Sequence, residues 1–216
     1  ELSLDLLAVA VEPFAVCRAC LGDDIDSGFS GIVMDIGGGT TDIAVVDDGG
    51  VEGTKMFGIG GRSFTHQIAQ ALDVDFDTAE DYKISFSIPD RIPADLRETM
   101  TLAVQRNLAV WLSGVQITLE EFQLPEFLPN KILLCGGGAG LAELRDVLAT
   151  TDWFKELPFA RRPVVHLVSA SDMPGIKNES SSTLDSSFIT ALGLLRVALD
   201  TLVGVPDDGG LRSKLS

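Results

Sequence analysis

The sequence has 216 residues, 45% of them hydrophobic, which allows one large domain or two small ones with a substantial core. Its formal net charge of −16 disfavours nucleic acid as a partner and tight docking on anionic lipid. No apolar run reaches the length of a membrane span, and the first residues lack the basic region of a signal peptide.

The first thirty residues are predicted to lead into the main fold. Residues 7–11 are apolar and predict a strand, and Pro13 suits the first turn of the helix that follows. Residues 23–30 are polar and predict a loop. This segment therefore supplies one helix before the next apolar run.

Three cysteines occur in the chain: Cys17 and Cys20 form a Cys-x-x-Cys pair and Cys135 stands apart. A zinc site would need a second Cys or His pair, and none accompanies them. A redox or metal site is the alternative to two small hydrophobic side chains on a helix, and we favour the latter. Free thiols fit a reducing cytoplasm.

A glycine loop between two predicted strands is the most informative stretch. Residues 32–36 and 43–46 are apolar and predict strands, and Gly37, Gly38 and Gly39 lie between them. A dinucleotide-binding loop opens a helix, and a Walker loop ends in Gly-Lys-Ser/Thr, so neither motif fits. Backbone N–H groups in such a hairpin can approach a phosphate because no Cβ blocks them.

The side chains beside this loop suit a phosphate accompanied by Mg²⁺. Thr40 and Thr41 add hydroxyl groups, and Asp35 and Asp42 flank the loop. An aspartate beside a phosphate is normally tolerable only with Mg²⁺ or its water shell between the two anions. The alternative is a plain tight hairpin in which glycine supplies positive φ, and three glycines alone do not separate the two interpretations.

A third strand and a helix are predicted after the hairpin. Residues 51–57 predict the strand, residues 58–61 a turn, and residues 62–72 a helix with one apolar face. His66 has polar neighbours and no base partner nearby, so it is predicted to be an exposed helix residue without a catalytic role.

Residues 73–83 predict a helix that Asp77 or Thr78 caps. Glu80 and Lys83 are three positions apart and share a face of that helix, where the simplest explanation is a surface ion pair. Residues 84–94 predict an irregular connector.

Residues 95–121 predict a long amphipathic helix whose apolar stripe belongs to the core. The second glycine motif then follows a buried strand predicted at 132–135. Gly136, Gly137 and Gly138 are predicted to open a helix through Leu148, whose N-terminus suits an anion or the flat face of a base. A Rossmann loop is disfavoured because it needs spaced glycines in the first βαβ unit.

The last part of the chain predicts a strand at 164–168, in which His166 is a packed residue. Residues 169–187 are polar and serine-rich and predict a mobile loop. An apolar helix begins at 188, and Ala191 and Gly193 are small enough to let it pack closely.

The strings Asp35-Ile-Gly-Gly-Gly-Thr-Thr-Asp42 and Cys135-Gly-Gly-Gly-Ala-Gly resemble the phosphate-2 and adenosine motifs of the actin-like ATPase superfamily. That superfamily includes actin, sugar kinases, heat-shock chaperone ATPases, MreB, FtsA and PilM. The resemblance implies an α/β, actin-like (ribonuclease H-like) ATPase half, with a three-stranded hairpin sheet, further strands and packed helices. Val11-Glu-Pro-Phe-Ala15 is similar to the Glu-Pro helix that precedes phosphate-2 in FtsA and PilM.

ATP and Mg²⁺ are the ligands that this resemblance implies. The resemblance implies that Asp35 is a catalytic residue and that Mg²⁺ binds near Asp35 through water. By the same resemblance Glu80 and Lys83 reach the ribose. The phosphates and Mg²⁺ are held by Asp35, Gly37, Gly38, Gly39, Thr40 and Thr41, and the adenine is bordered by Gly136, Gly137, Gly138 and Leu141.

The resemblance covers the C-terminal half of such a protein, since no phosphate-1 hairpin precedes phosphate-2. The implied segments are a lead-in at 1–30, the phosphate-2 unit at 31–72, a small helical insert at 73–130, the adenosine-motif unit at 131–203 and a disordered tail at 204–216. Hydrolysis needs groups from both halves. Weak ATP binding and no turnover are therefore expected of this chain alone.

The short insert resembles that of FtsA or PilM. The Glu-Pro helix, the Gly-Gly-Gly-Thr-Thr-Asp string and the Ala-x-Gly-Leu-Leu ending favour the family of the bacterial cell-division protein FtsA, with the type IV pilus protein PilM as the alternative. A small-molecule kinase of the same fold and a pure scaffold are further alternatives. The favoured family implies nucleotide-dependent self-association or polymerisation and recruitment of cell-division or pilus-assembly proteins. It places the chain in the cytoplasm or peripherally at the inner face of the membrane. Residues 204–216 do not match the FtsA membrane helix, so membrane contact is expected to be indirect only.

Overall fold

The computed structural model describes residues 9–10, 12–21, 28–122, 124, 127–173, 177, 179 and 184–203. A five-stranded mixed sheet organises them, with strand order β3-β2-β1-β4-β5. The strands are β1 (Gly31–Ile36), β2 (Thr41–Asp47), β3 (Gly50–Phe57), β4 (Lys131–Cys135) and β5 (Val164–Leu167). β1, β2 and β3 form an antiparallel meander, whereas β4 runs parallel to β1 and β5 parallel to β4. The predicted hairpin sheet with further strands is confirmed.

Helices cover both faces of this sheet, and every side chain of the central strand β1 is therefore buried. Alternate residues of β1 point to opposite faces. Ile32, Met34 and Ile36 join the larger core, and Val33 joins the smaller one on the other face. The helices are α1 (Glu12–Leu21), α2 (Gly61–Leu72), α3 (Phe76–Phe86), α4 (Ala94–Glu120), α5 (Ala142–Thr150) and α6 (Ile189–Val203).

The long helix α4 lies in the larger core, as its apolar stripe predicts. Met100, Val104, Trp111 and Val115 are buried there at helical spacing. Side chains of α2, α3 and α5 complete this core against the same face of the sheet.

The smaller core joins α1 and α6 to the opposite face. The helices approach so closely that a Cβ atom on Gly193 would lie 2.1 Å from Ala15 O. An ion pair between Arg18 and Asp200 closes the far end of this contact. The predicted close packing at Gly193 is confirmed.

Two predictions in residues 73–94 are wrong in detail. Asp75 caps α3, accepting a hydrogen bond from the Thr78 amide at 2.9 Å, so neither Asp77 nor Thr78 is the cap. The helix also continues to Phe86, inside the predicted connector. Phe86 is buried in the larger core, and this packing extends the helix.

His166 lies in β5, but the prediction that it is packed is wrong. Its side chain is exposed, with Nε2 3.4 Å from Asp172 Oδ1. β5 is an edge strand in which burial alternates, and Val164 and His166 occupy the exposed face. His66 is exposed on α2, as predicted.

Some predictions fall partly or wholly outside the described residues. The predicted disordered tail 204–216 and most of the loop 23–30 lie there. Of the predicted strand 7–11, only Val9 and Ala10 are described, and neither lies in a strand. The division of the chain into five segments stays a prediction. In the part of the chain that the structure covers, no helix combines the length and hydropathy needed to cross a membrane.

Candidate nucleotide site

Both glycine motifs meet at the carboxyl ends of the neighbouring parallel strands β1 and β4, where Asp35 pairs with Cys135. A Cβ atom on Gly136 would lie 2.3 Å from Asp35 Oδ1, and one on Gly138 would lie 2.8 Å from Ile36 O. Gly136 also has a φ of +87°, which disfavours any other residue. The two motifs, separate in sequence, therefore form one continuous surface.

The turn between β3 and α2 packs against the first glycine loop. The amide of Gly61 donates to Gly37 O at 2.9 Å, and the amide of Arg62 donates to Gly38 O at 2.8 Å. A Cβ atom on Gly60 would lie 2.6 Å from Gly37 O, so this contact requires glycine. The first amides of α2 thus hold the carbonyl groups of the loop in place.

This arrangement leaves the loop open at Gly39. Gly37 closes the hairpin by donating to Thr40 O at 2.9 Å. In the described part of the chain, no hydrogen bond uses the amide N–H groups of Gly38, Gly39 and Thr40. A Cβ atom on Gly39 would meet nothing within 4 Å. Successive free amides around an open concavity are a typical anion-binding arrangement.

Asp35 lies at the end of β1 with only 5% of its surface exposed. Its carboxylate accepts a hydrogen bond from Thr190 Oγ1 of α6. Burial raises the pKa of Asp35, and the charge of Asp42 raises it further, against the lowering effect of the Thr190 bond. Burial and the same two aspartates raise the pKa of Glu12. Carboxylates from α1, β1 and β2 therefore lie close enough beside the loop to interact electrostatically.

The donor set fits Mg²⁺ held through water and phosphate. Among the described residues, no group of three or more His, Cys, Asp or Glu side chains is arranged to hold a metal by itself. Mg²⁺ usually keeps several waters and binds through one or two carboxylates together with substrate phosphates. Asp35 lies next to the loop and suits that role, since its carboxylate is buried beside the charge of Asp42.

The two loop threonines occupy different environments. Thr40 lies in the loop and is half-buried. Thr41 is fully buried, and its hydroxyl donates to Ile59 O at 2.8 Å and accepts from Trp111 Nε1 at 2.9 Å. The structure therefore does not bring the Thr41 hydroxyl to the open side of the loop, and it gives Thr41 a positioning role at the base of the hairpin.

We expect the Trp111–Thr41 bond to contribute measurably to stability. Trp111→Phe and Thr41→Val should each lower the free energy of unfolding by about 1–2 kcal/mol, because each leaves buried polar groups unpaired. In a double-mutant cycle measured by urea unfolding, the two should couple by about 1 kcal/mol.

A matched control for this cycle is Trp153→Phe, since Trp153 Nε1 donates to Leu148 O at 2.9 Å and not to Thr41. Its effect should add to that of Thr41→Val. Equal coupling for both tryptophans would contradict a specific Trp111–Thr41 contribution.

Lys83 and Glu80 lie beside the first turn of α2, where Gly61 is also close to Gly138 of the second glycine motif. Lys83 Nζ donates to Gly61 O at 3.2 Å, Thr65 Oγ1 at 2.9 Å and Glu80 Oε2 at 2.8 Å, and its side chain is 12% exposed. This pair is more buried than a surface ion pair. Although burial raises the pKa of Glu80, hydrogen bonds from Lys83 and Thr65 hold it below its ordinary value.

The second glycine motif is more closed than its sequence suggests. Gly136 donates to Ser186 O at 2.9 Å. Residues Gly137–Gly140 form a 3-10 turn that leads through extended Leu141 into α5, as the predicted turn and helix require. The Leu141 side chain is buried in the larger core. Gly137 and Gly140 leave the outer side of the turn open.

Glu12, Arg62 and Thr190 had no role in the motif analysis, and Asp42 was noted only as flanking the loop. Glu12 and Asp42 belong to the quoted strings, so their acidic character was the available signal. Thr190 is 155 positions from Asp35, and no local pattern marks it. Arg62 lies beside Gly38, where a Cβ atom would be 3.2 Å from its Nε.

Comparison with known proteins gives a consistent result. Residues 32–193 match the family model described as cell division protein FtsA. The cell division protein FtsA of Neisseria meningitidis serogroup B is 26% identical over 225 residues, covering 95% of this chain and 52% of the relative. The chain therefore spans about half the length of that relative.

Solved structures show the same fold. A chain of the PilM–PilN type IV pilus biogenesis complex aligns with a TM-score of 0.67 and 21% identity, covering 90% of this chain and 53% of that one. MreB5 of Spiroplasma citri bound to ADP aligns with a TM-score of 0.62 and 18% identity, covering 94% and 64%. These likenesses establish an actin-like fold.

Proposed function

Because the chain belongs to the family of the cell division protein FtsA, we propose that it forms one wall of an ATP–Mg²⁺ site in an actin-like cell-division protein. Nucleotide at this wall controls self-association and the recruitment of partners. The wall alone binds ATP weakly, because it contacts the phosphates from one side only. It does not hydrolyse ATP, because phosphoryl transfer needs groups on both sides of the phosphates.

One observation carries this proposal: the open amide side of the first glycine loop. In the described residues the N–H groups of Gly38, Gly39 and Thr40 have no hydrogen-bond partner, and a Cβ atom on Gly39 would meet nothing within 4 Å. A glycine turn that served only the fold would not need this opening. Charge-assisted hydrogen bonds from such amides to phosphate are among the stronger ones in proteins.

The surrounding residues divide the remaining tasks. Asp35 holds a water of the Mg²⁺ shell, and Mg²⁺, when bound, neutralises charge between the phosphates and the carboxylates. Glu80 and Lys83 border the ribose, and the outer side of the Gly137–Gly140 turn borders the adenine. Their relative positions support this assignment, since a Cβ atom on Gly61 would lie 3.5 Å from Lys83 Nζ and 3.6 Å from the Cα of Gly138.

A substitution at Gly39 separates a ligand role from a role in the fold. A Cβ atom at Gly39 meets no protein atom within 4 Å, and φ is not positive there, so Gly39→Ala should leave stability within about 0.5 kcal/mol of wild type. The same methyl group occupies the space where phosphate approaches the amides. We expect ATP affinity, measured by calorimetry with Mg²⁺, to fall at least about tenfold.

Gly58→Ala is the matched control, since a Cβ atom there also meets nothing within 4 Å but lies outside the loop. Both the 216-residue chain and the full-length gene product containing it should be titrated. Unchanged ATP affinity in Gly39→Ala would contradict the phosphate role of the loop. Absence of ATP binding in the full-length wild type would contradict the proposed function altogether.

A nucleotide-independent scaffold, similar to a pilus-assembly platform, is the second candidate. The structural likeness to the PilM–PilN complex supports it. So does a line of exposed apolar side chains formed by Phe188, which directly precedes α6, and by Leu195, Leu199 and Leu202 of α6. Light scattering with and without Mg-ATP separates the two candidates, because only the first requires nucleotide for assembly.

A further inference from the structure

Arg62 is the second residue of α2, and its side chain lies over the first glycine loop. A Cβ atom on Gly38 would lie 3.2 Å from Arg62 Nε and 3.5 Å from both Cζ and Nη2. The backbone of Arg62 is fixed there as well, because its amide donates to Gly38 O at 2.8 Å. The guanidinium group therefore lies beside Gly38, whose amide N–H has no hydrogen-bond partner among the described residues.

This guanidinium group differs from the other cation of the site. Lys83 uses its ammonium group in three hydrogen bonds to Gly61, Thr65 and Glu80. In the described part of the chain, the Arg62 side chain makes no hydrogen bond or ion pair, although its charge contributes to the lowered pKa of Glu80. Arg62 is exposed, so its donors are available to a ligand.

Acidic side chains beside the loop would repel a phosphate, and the guanidinium group of Arg62 offsets this repulsion. The charges of Glu12, Asp35 and Asp42 interact with one another beside the loop, and the pKa values of Glu12 and Asp35 are raised. A polyphosphate entering this space meets negative potential. Arginine presents a planar fork of donors that matches phosphate oxygens and stays charged at all physiological pH values.

From this geometry we infer that Arg62 binds the terminal phosphate of the nucleotide and lets the site distinguish ATP from ADP. The inference rests on the proposed function. The adenine and ribose positions lie around Gly138 and Lys83, on the Gly61 side of the loop. The chain of phosphates then runs from there towards Gly38, so its far end comes nearest to Arg62.

The test compares ATP and ADP binding in the full-length gene product. Arg62→Ala should weaken Mg-ATP binding by roughly tenfold to a hundredfold, the loss expected for a charge-assisted contact, and leave ADP affinity nearly unchanged. Arg62→Lys keeps the charge but loses the fork, so ATP affinity should lie between those of wild type and Arg62→Ala.

Arg161→Ala is the matched control for the change in charge. Arg161 is exposed and precedes the amino end of β5. The glycine loops lie at the opposite, carboxyl ends of the parallel strands. This variant should bind both nucleotides as wild type does, and unfolding without nucleotide should be the same for all variants.

The outcomes separate this inference from the proposed function. Equal losses for ATP and ADP in Arg62→Ala would overturn the terminal-phosphate assignment, as would no loss for either. Both results leave the proposed ATP site standing because the wild type still binds. A wild type that binds neither nucleotide would overturn the proposed function and this inference together.

Discussion

Asp35→Asn is expected to remove the Mg²⁺ dependence of ATP binding without harming the fold. Asparagine has the same shape and can still accept the hydrogen bond from Thr190, so the end of β1 should keep its geometry. The amide carries no charge and attracts the metal-bound water less strongly. Losing an outer partner of a metal typically lowers affinity about 10- to 100-fold, and we expect that loss for ATP in the presence of Mg²⁺.

The same substitution should maintain or increase stability at neutral pH. The pKa of Asp35 is raised in the folded protein, so the native state binds its proton more tightly than the unfolded chain does. Wild-type stability therefore falls as pH rises from the ordinary aspartate pKa through the raised value. Asparagine does not titrate, so its advantage in free energy of unfolding should grow over that window and persist above it.

Calorimetry with and without Mg²⁺, together with urea unfolding at several pH values, measures both effects. Asp47→Asn is the matched control, because Asp47 is exposed at the opposite end of β2 and accepts from Ser30 Oγ at 2.8 Å. It should change neither property. ATP binding that keeps its full Mg²⁺ dependence in Asp35→Asn would refute the assigned role of Asp35.

Gly193→Ala tests the contact between α1 and α6. Helix propensity alone predicts a gain of roughly 1 kcal/mol, since alanine favours a helix over glycine. The structure predicts the opposite sign, because the new Cβ atom would lie 2.1 Å from Ala15 O and 2.4 Å from its carbonyl carbon. Backbone atoms cannot relieve the clash by a rotamer change, so the two helices must separate. We therefore expect a loss of about 3 kcal/mol in the free energy of unfolding.

This loss should extend to the candidate site, because α6 also carries Thr190, which bonds Asp35. Gly114→Ala in α4 provides the comparison, since the nearest atoms there belong to the Phe57 ring, at 2.7 Å, and a side chain can shift. Urea unfolding of both variants should show the larger loss at Gly193. A more stable Gly193→Ala variant would contradict the described helix contact.

The local conformation of this protein could be predicted well from short stretches. Residues 31–46 combine two apolar runs with a glycine loop, and this order distinguishes a hairpin from a loop that opens a helix. The stripe of α4 and the small Gly193 likewise placed two helices correctly. Where such patterns conflicted with packing, at Phe86 and His166, the buried or exposed position in the fold decided the outcome.

By itself, the sequence determined the order of the elements, the glycine loops at the ends of two strands and the family to which the chain belongs. Only the tertiary structure decided which side chains act together. Thr190 donates a hydrogen bond to Asp35, which is 155 positions away in the sequence. Trp111 donates one to the Thr41 hydroxyl, which is 70 positions away. Periodicity and turn chemistry report backbone conformation within a few residues, whereas hydrogen-bond partners depend on how distant elements pack.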